Sequence, residues 1–173
     1  MTEPSRPRIG ISACLTGAPV RWDGRDKRHA RLLEALGPFV DWLPVCPEVE
    51  VGMGVPREPI ALVAAGGRPR LLGERSGVDH TEAMRIFAAR RVDELIALGI
   101  QGWISKKGSP SCGPGGVPIR SSPGGGGIAE GAGLFVSVLR ERLPDLPIAD
   151  EGQLEDAALR QGFLARCRAQ RPG

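Results

Sequence analysis

The sequence contains no tyrosine, and only 4% of its 173 residues are aromatic. Proteins that bind single-stranded nucleic acid need an aromatic surface on which bases stack, so this scarcity argues against that class. No apolar run reaches the length of a membrane span. Residues 1–8 also lack the apolar core of a signal peptide. We therefore expect a cytoplasmic protein without a membrane partner, in which cysteines stay reduced.

The charges of the chain are nearly balanced. It has 23 basic and 20 acidic residues and a net charge of +3, which does not indicate a nucleic-acid-binding protein. Glycine and proline are abundant, with 25 and 16 residues, but the hydrophobic share is 41%. This composition favours a loop-rich globular chain over a disordered one. We expect one domain over residues 1–173, flexible at 1–7 and 170–173.

Apolar runs and helical periodicity alternate along the chain. They predict strands at 8–12, 39–45, 101–105 and 146–149, helices at 27–36, 79–98, 129–142 and 153–169, a hairpin at 60–72, and loops at 46–59 and 106–127. This alternation is typical of an α/β fold with a mostly parallel sheet flanked by helices. Because open parallel sheets bind ligands at the carboxyl ends of their strands, we expect the functional site there.

Three of the four cysteines follow predicted strands. Cys14 and Cys46 come directly after the first two strands, and Cys112 lies in the loop after the strand at 101–105. If these strands are parallel, the three thiols meet at one edge of the sheet. Cys167 lies on the last predicted helix, where a packed thiol is the simplest interpretation.

The spacing of the cysteines leaves several kinds of site open. No C-x-x-C pair is present and no histidine lies near, which excludes a zinc ribbon. Three thiols at long spacing suit an iron–sulfur cluster with one open iron. Three scattered structural cysteines and a cysteine nucleophile remain as alternatives. A nucleophile needs a base, and neither His29 nor His80 lies in a recognisable partnering motif.

Polar residues surround two of these thiols. Glu48 lies two residues after Cys46, and Ser109 and Ser111 precede Cys112. A solvated loop carboxylate and ordinary turn chemistry are the simpler interpretations of these residues.

Several ordered segments resemble the TudS-type family of thiouracil desulfidases, over about residues 8–152. They are ISACL at 11–15, VRWDG at 20–24, VCPEV at 45–49, GVDHT at 77–81 and KGSPSCG at 107–113. The resemblance implies a 4Fe–4S cluster held by Cys14, Cys46 and Cys112, whose fourth iron takes the sulfur of the substrate. It also implies that Glu48 and Ser109 are catalytic. Cys167 matches no family motif, and the loop at 113–127 is richer in glycine and proline than the family leads us to expect.

We further interpret three residues as substrate-binding candidates. They are Asp23, Lys107 and Ser111. Asp23 is equally typical of an Asp-Gly turn, and Lys107 of a solvated surface lysine.

The resulting hypothesis is a non-redox desulfuration of 4-thiouracil or a 4-thiouridine-type thiocarbonyl. The segment 46–59 is most similar to the N-terminal half of a two-domain subgroup that is associated with 4-thiouridine in tRNA. Since the sequence stops at Gly173 without a second domain, we expect a free base or nucleoside as substrate instead of tRNA. The alternatives are a zinc- or cluster-binding module that senses redox state or iron, and a catalytic subunit that acts on thiolated tRNA with a separate RNA-binding partner.

Overall fold

Eight strands and five α-helices make up the part of the chain that the computed structural model describes, residues 6–170. The strands are β1 (Arg8–Ser12), β2 (Asp41–Val45), β3 (Ile60–Val63), β4 (Arg70–Gly73), β5 (Ile100–Ser105), β6 (Val117–Arg120), β7 (Gly127–Gly131) and β8 (Ile148–Asp150). The helices are α1 (Ala30–Leu36), α2 (Pro47–Glu50), α3 (Thr81–Ala97), α4 (Leu134–Arg142) and α5 (Ala157–Ala169).

The first sheet is parallel throughout, with strand order β2-β1-β5-β8. Apart from Arg8, its central strands are buried on both faces, which explains why Trp103 and Ile104 of β5 are adjacent apolar residues without a polar residue between them. Helices α3 and α4 pack in one hydrophobic core and α1 and α5 in the other. The predicted α/β fold with a mostly parallel sheet flanked by helices is therefore confirmed.

A second sheet, with order β4-β3-β6-β7, adds a layer that the sequence only partly indicated. The hairpin predicted at 60–72 is present, as antiparallel β3 and β4. A second hairpin, β6 and β7, replaces part of the predicted loop at 106–127. The prediction of a helix at 129–142 was wrong at its start, because Gly127–Gly131 pairs with β6 and the helix begins at Leu134. Closely spaced glycines disfavour the helix over this stretch.

Side-chain caps explain where two other helices begin. The helix predicted at 27–36 starts at Ala30, since the His29 imidazole accepts a hydrogen bond from Leu32 N at 3.3 Å. The helix predicted at 153–169 starts at Ala157, where Asp156 caps Leu159 N at 2.9 Å. Each cap satisfies a backbone donor that the first helical turn leaves without a partner.

The ends of the chain are described only in part. Residues 1–5 and 171–173, where we expected flexibility, lie outside the described residues. Arg6 is held against β2, since its guanidinium donates to Val40 O at 3.1 Å and pairs with Asp41 at 3.2 Å. Among the helices of residues 6–170, none combines the length and the apolar character needed to cross a lipid bilayer.

Candidate active site

The carboxyl ends of β1, β2 and β5 open into a cavity of about 350 Å³. The second sheet closes the opposite wall with Ile60 of β3 and Arg120 of β6. The site therefore lies where the two sheets meet, at the edge of the parallel sheet at which such folds bind ligands.

All three cysteines that follow strands line this cavity. Cys14 lies in a short 3₁₀ helix directly after β1, Cys46 is the N-cap residue of α2 directly after β2, and Cys112 lies in the loop after β5. Cys14 and Cys112 are buried, with 9% and 5% of their surface exposed, and Cys46 is half-buried. All three are free thiols. The structure thus brings together the residues that the sequence placed at one sheet edge.

The environment of these thiols disfavours their negative charge when no cation is near. Burial and, to a lesser extent, the nearby Cys46 raise the pKa of Cys14 to about 11. Burial also raises the pKa of Cys46 and that of Cys112, although a hydrogen bond with Ser12 lowers the pKa of Cys112. Buried thiols that raise one another's pKa are unreactive as nucleophiles but become strong ligands once a positive metal centre offsets the charge.

The donor set fits a cluster better than a single ion. Within residues 6–170, no three His, Cys, Asp or Glu side chains converge closely enough to hold one metal ion. A four-iron cluster binds each cysteine through a different iron, so its ligands lie farther apart than those of one ion. Among the described residues, three thiols line one cavity, and three thiolates match a cluster that has one iron without a cysteine ligand.

Glu48 projects from α2 into the same cavity, where it is held by two partners. Its Oε2 accepts hydrogen bonds from Arg57 Nε at 2.9 Å and Arg57 Nη2 at 2.6 Å, and its Oε1 accepts one from Ser111 Oγ at 2.9 Å. The side chains of Arg57 and Glu48 are only 7% and 15% exposed. The carboxylate is therefore an oriented group at the edge of the cavity and not a solvated loop residue.

Arg57 was missed in the sequence because it lies in a stretch that has no periodicity. Besides Glu48, its guanidinium binds Gly54 O at 2.9 Å and Val20 O at 2.8 Å. Val20 O also accepts a weak hydrogen bond from Cys46 Sγ at 3.8 Å. The one available signal was a basic residue between prolines, at Pro56 and Pro59, in a chain segment that also carries two candidate site residues.

The two predicted serines have different surroundings. Ser109 lines the cavity, and its Oγ accepts hydrogen bonds from Ser111 N at 3.3 Å and Cys112 N at 3.1 Å. This turn sets the position of Cys112 and leaves the Ser109 hydroxyl proton directed elsewhere. Ser111 is fully buried and its hydroxyl donates to Glu48. The predicted substrate contact of Ser111 remains a prediction, and what the geometry shows is a contact with the carboxylate.

The other two substrate-binding candidates lie farther out. Asp23 Oδ1 accepts a hydrogen bond from Arg25 N at 3.1 Å, as in an Asx turn, and Asp23 is absent from the described lining of the cavity. Lys107 is exposed at the cavity rim, and its backbone N–H donates to Glu151 at 2.7 Å. The neighbouring Lys106 ammonium lines the cavity and pairs with Glu151 at 2.7 Å.

Cys167 lies away from the cavity, in the core between α5 and the parallel sheet. It is fully buried, and a Cβ atom added to Gly102 of β5 would collide with its sulfur. Burial raises the pKa of Cys167 to about 12. A thiol in this position fills space between a helix and a strand.

The loop that carries Ser111 and Cys112 is fastened to the start of α4. Leu134 N donates to Pro110 O at 2.9 Å, Phe135 N donates to Ser111 O at 3.0 Å, and Gly133 N donates to Gly113 O at 2.8 Å. A Cβ atom on Gly133 would lie 2.7 Å from Cys112 N and closer still to the Ser111 carbonyl. The absence of a side chain at Gly133 is what allows this close approach.

Comparisons with known proteins agree on one family. A family model described as 2-thiouracil desulfurase matches residues 9–151. The Bacillus subtilis (strain 168) protein named "Uncharacterized protein YbbK" is 30% identical, and the match covers 86% of this chain and 98% of that protein. A solved structure of the [4Fe-4S]-dependent thiouracil desulfidase TudS is 33% identical, with a TM-score of 0.72 over 91% of this chain and 99% of the other.

Proposed function

The chain belongs to the 2-thiouracil desulfurase family, and from this premise we propose that it removes the thiocarbonyl sulfur of a thiolated pyrimidine. The family that the sequence motifs indicated is thereby confirmed. The observation that carries the proposal is the convergence of three buried thiols and one oriented carboxylate on a single cavity.

We propose that Cys14, Cys46 and Cys112 hold a 4Fe–4S cluster, since the solved relative is named as [4Fe-4S]-dependent and these three thiols line one cavity here. When bound, the iron that lacks a protein ligand supplies a Lewis acid for the thiocarbonyl sulfur, which makes the ring carbon more electrophilic. The protein would contribute thiolates that follow β1, β2 and β5, and the buried position of Cys14 and Cys112 limits the access of water to them.

The reaction balances without an electron carrier. Water supplies the oxygen that replaces sulfur at the ring carbon, and the sulfur leaves as sulfide with the electrons of the broken carbon–sulfur bond. In this scheme Glu48 holds the attacking water and accepts its proton, a role that contributes on the order of 10²–10⁴ in rate. Ser109, at the cavity wall, supplies a hydroxyl that donates to the pyrimidine ring or passes a proton to it.

The cavity favours a small ring as substrate. Its volume of about 350 Å³ lies at the lower end of the range for small-molecule sites. We propose 4-thiouracil or a 4-thiouridine-type nucleoside, with the exposed Lys107 at the rim beside the open side of the site. A thiolated tRNA is the second candidate. It predicts binding that weakens steeply with salt, because phosphate contacts release counterions.

We also propose a reducing compartment such as the cytoplasm. All four cysteines are free thiols, and three of them line the cavity. A disulfide between any two of those three would remove two cluster ligands at once.

Cluster loading is the first test. Iron and acid-labile sulfide per chain are measured after anaerobic reconstitution of the native chain, Cys112→Ala and the matched control Cys167→Ala. We expect about four irons per chain in the native protein and in Cys167→Ala, and loss of loading in Cys112→Ala. Loading that survives Cys112→Ala, or that disappears in Cys167→Ala, would contradict the proposed ligand set.

Turnover is the second test, followed by loss of the thiocarbonyl absorbance of 4-thiouracil. Glu48→Gln keeps the size of the side chain and removes its charge. We expect it to load iron normally and to turn over roughly 10²-fold more slowly or worse. Native turnover by a loaded Glu48→Gln would remove the carboxylate from the mechanism. A native chain that loads iron but does not turn over 4-thiouracil would leave a sensing or binding module as the better description.

A further inference from the structure

The hydrogen bonds of Glu48 leave one acceptor position unused among the described residues. An ionised carboxylate has about four lone-pair positions, two on each oxygen. Two hydrogen bonds from Arg57 occupy Oε2, at 2.9 Å and 2.6 Å, and one from Ser111 occupies half of Oε1. The remaining position is therefore on Oε1, the oxygen that shares its hydrogen bonds with the loop of Cys112.

We propose that Arg57 is a positioning residue for the desulfuration, because it saturates Oε2 of Glu48 and directs proton transfer to Oε1. The inference rests on the proposed function, in which Glu48 accepts a proton from water. A carboxylate that rotated freely would present either oxygen, whereas this one presents a single lone pair in a fixed direction. Such orientation raises the rate by holding the reacting groups in the productive geometry.

The guanidinium is itself held firmly enough to set that direction. Four of its contacts are hydrogen bonds, and those beyond Glu48 go to backbone carbonyls, Val20 O at 2.8 Å and Gly54 O at 2.9 Å. The backbone N–H of Arg57 also donates to Trp22 O at 2.9 Å. Backbone carbonyls cannot change rotamer as side chains can. The main chain around Arg57 therefore fixes the position of its guanidinium group. A lysine ammonium has its three donors on one nitrogen. It cannot donate to Glu48 Oε2 and to both carbonyls at once, as the planar guanidinium of Arg57 does.

Arg91 provides a matched control for loss of an arginine–glutamate pair near the site. It lies on α3 and binds Glu50, on the same short helix α2 as Glu48, at 3.5 Å. Its side chain is also mostly buried. Arg91 also pairs with Glu94 at 3.0 Å. Since Arg91 does not contact Glu48 in the described structure, Arg91→Gln removes weaker arginine–glutamate pairs without freeing the Glu48 carboxylate.

The experiment measures iron per chain, kcat and KM for 4-thiouracil in reconstituted Arg57→Ala, Arg57→Lys and Arg91→Gln. We expect both Arg57 variants to keep their iron and their KM, and to lose roughly 10- to 100-fold in kcat. Arg91→Gln is expected to stay within about twofold of the native kcat. Added guanidinium ion should restore part of the kcat of Arg57→Ala but none of that of Glu48→Gln. If Arg57→Ala does not fold, Arg57→Lys tests the inference by the same result, a lower kcat with an unchanged KM.

The outcomes separate this inference from the proposed function. If Glu48→Gln is slow while loaded Arg57 variants keep the native kcat, the inference fails and the role of Glu48 stands. If Glu48→Gln keeps the native kcat, the role of Glu48 fails and the inference about Arg57 fails with it, although the desulfidase function stands. If the loaded native chain does not turn over 4-thiouracil, the proposed function itself fails. Loss of iron from both Arg57 variants would show that Arg57 supports the cluster ligands instead, and would also overturn the inference.

Discussion

Gly133 offers the most direct test of how the Cys112 loop is placed. Its φ of −61° and ψ of 152° suit alanine, so Gly133→Ala introduces no backbone strain. The new Cβ atom, however, would lie 2.7 Å from Cys112 N, whereas ordinary contacts begin at 3.4 Å. The loop must therefore retreat by about 0.7 Å at Cys112 N and by more at the Ser111 carbonyl, which lies closer still. Both neighbours are backbone atoms, which cannot rotate out of the way as the end of a side chain can.

This retreat has a calculable effect on stability and rate. Forcing a methyl group into a packed position costs about 1–3 kcal/mol. For a chain of this size, the loss corresponds to roughly 2–12 °C in Tm. The shift also moves the Ser111 hydroxyl relative to Glu48 Oε1, now 2.9 Å away. Since displacements near 1 Å cost on the order of 10²-fold in rate, we expect at least a roughly tenfold lower kcat in the loaded variant.

The assay compares Gly133→Ala with Gly115→Ala. Gly115 lies in the same loop, but a Cβ atom there meets nothing within 4 Å. Thermal unfolding, iron per chain and 4-thiouracil turnover are measured for both variants and the native chain. If Gly133→Ala matches Gly115→Ala in all three, the close approach of α4 to the loop does not position Cys112, and the argument is wrong.

Three further substitutions test separate parts of the structure. Cys167→Ser places a hydroxyl among apolar groups and should lower the free energy of unfolding by about 1–3 kcal/mol, measured by denaturant titration, with iron loading unchanged. Ser109→Ala removes the acceptor for two N–H groups of the Cys112 turn, so we expect reduced iron loading as well as slower turnover. Normal iron loading with slower turnover would mean that Ser109 acts only in the reaction and does not position Cys112. Hydrogen bonds from Ser76 and from Arg75 N lower the pKa of Glu58 to about 2. The ionised carboxylate therefore contributes its full stabilisation of the folded chain above its ordinary pKa of 4.5, and this contribution is lost as the pH falls toward 2. Acid titration of Glu58→Gln should therefore show less loss of stability across that range than the native chain.

The meeting of three thiols at one sheet edge was predictable because the strands that precede them were predictable. Ile9 and Ile11 lie in a short apolar run that reads as a buried strand, and parallel strands end at one edge. The sheet edge shared by Cys14, Cys46 and Cys112 therefore followed from the predicted strands, whereas their role as cluster ligands came from the family resemblance. The catalytic role of Glu48 came from the family resemblance, because a carboxylate two residues after a thiol is equally typical of a solvated loop.

The remainder of the site depends on directions that a sequence does not specify. Ser109 and Ser111 stand in one short motif, yet one hydroxyl accepts from the backbone and the other donates to Glu48. Arg57 reaches Glu48 only because the chain folds back over α2 in a segment without periodicity. The sequence did not predict the hairpin of β6 and β7, because its glycines and prolines are equally typical of a loop.

The strand order also bears on when the site is assembled. In space the thiol-bearing strands run β2, β1, β5, so each is the hydrogen-bonded neighbour of the next. Pairing of the backbones fixes the ends of the three strands, and the chain entropy of bringing residues 12, 45 and 105 together is lost in forming the sheet. The loop that carries Cys112 is then held by backbone hydrogen bonds to the start of α4. A small zinc domain, by contrast, folds around its metal. We therefore expect iron starvation to leave a folded chain that can still be loaded.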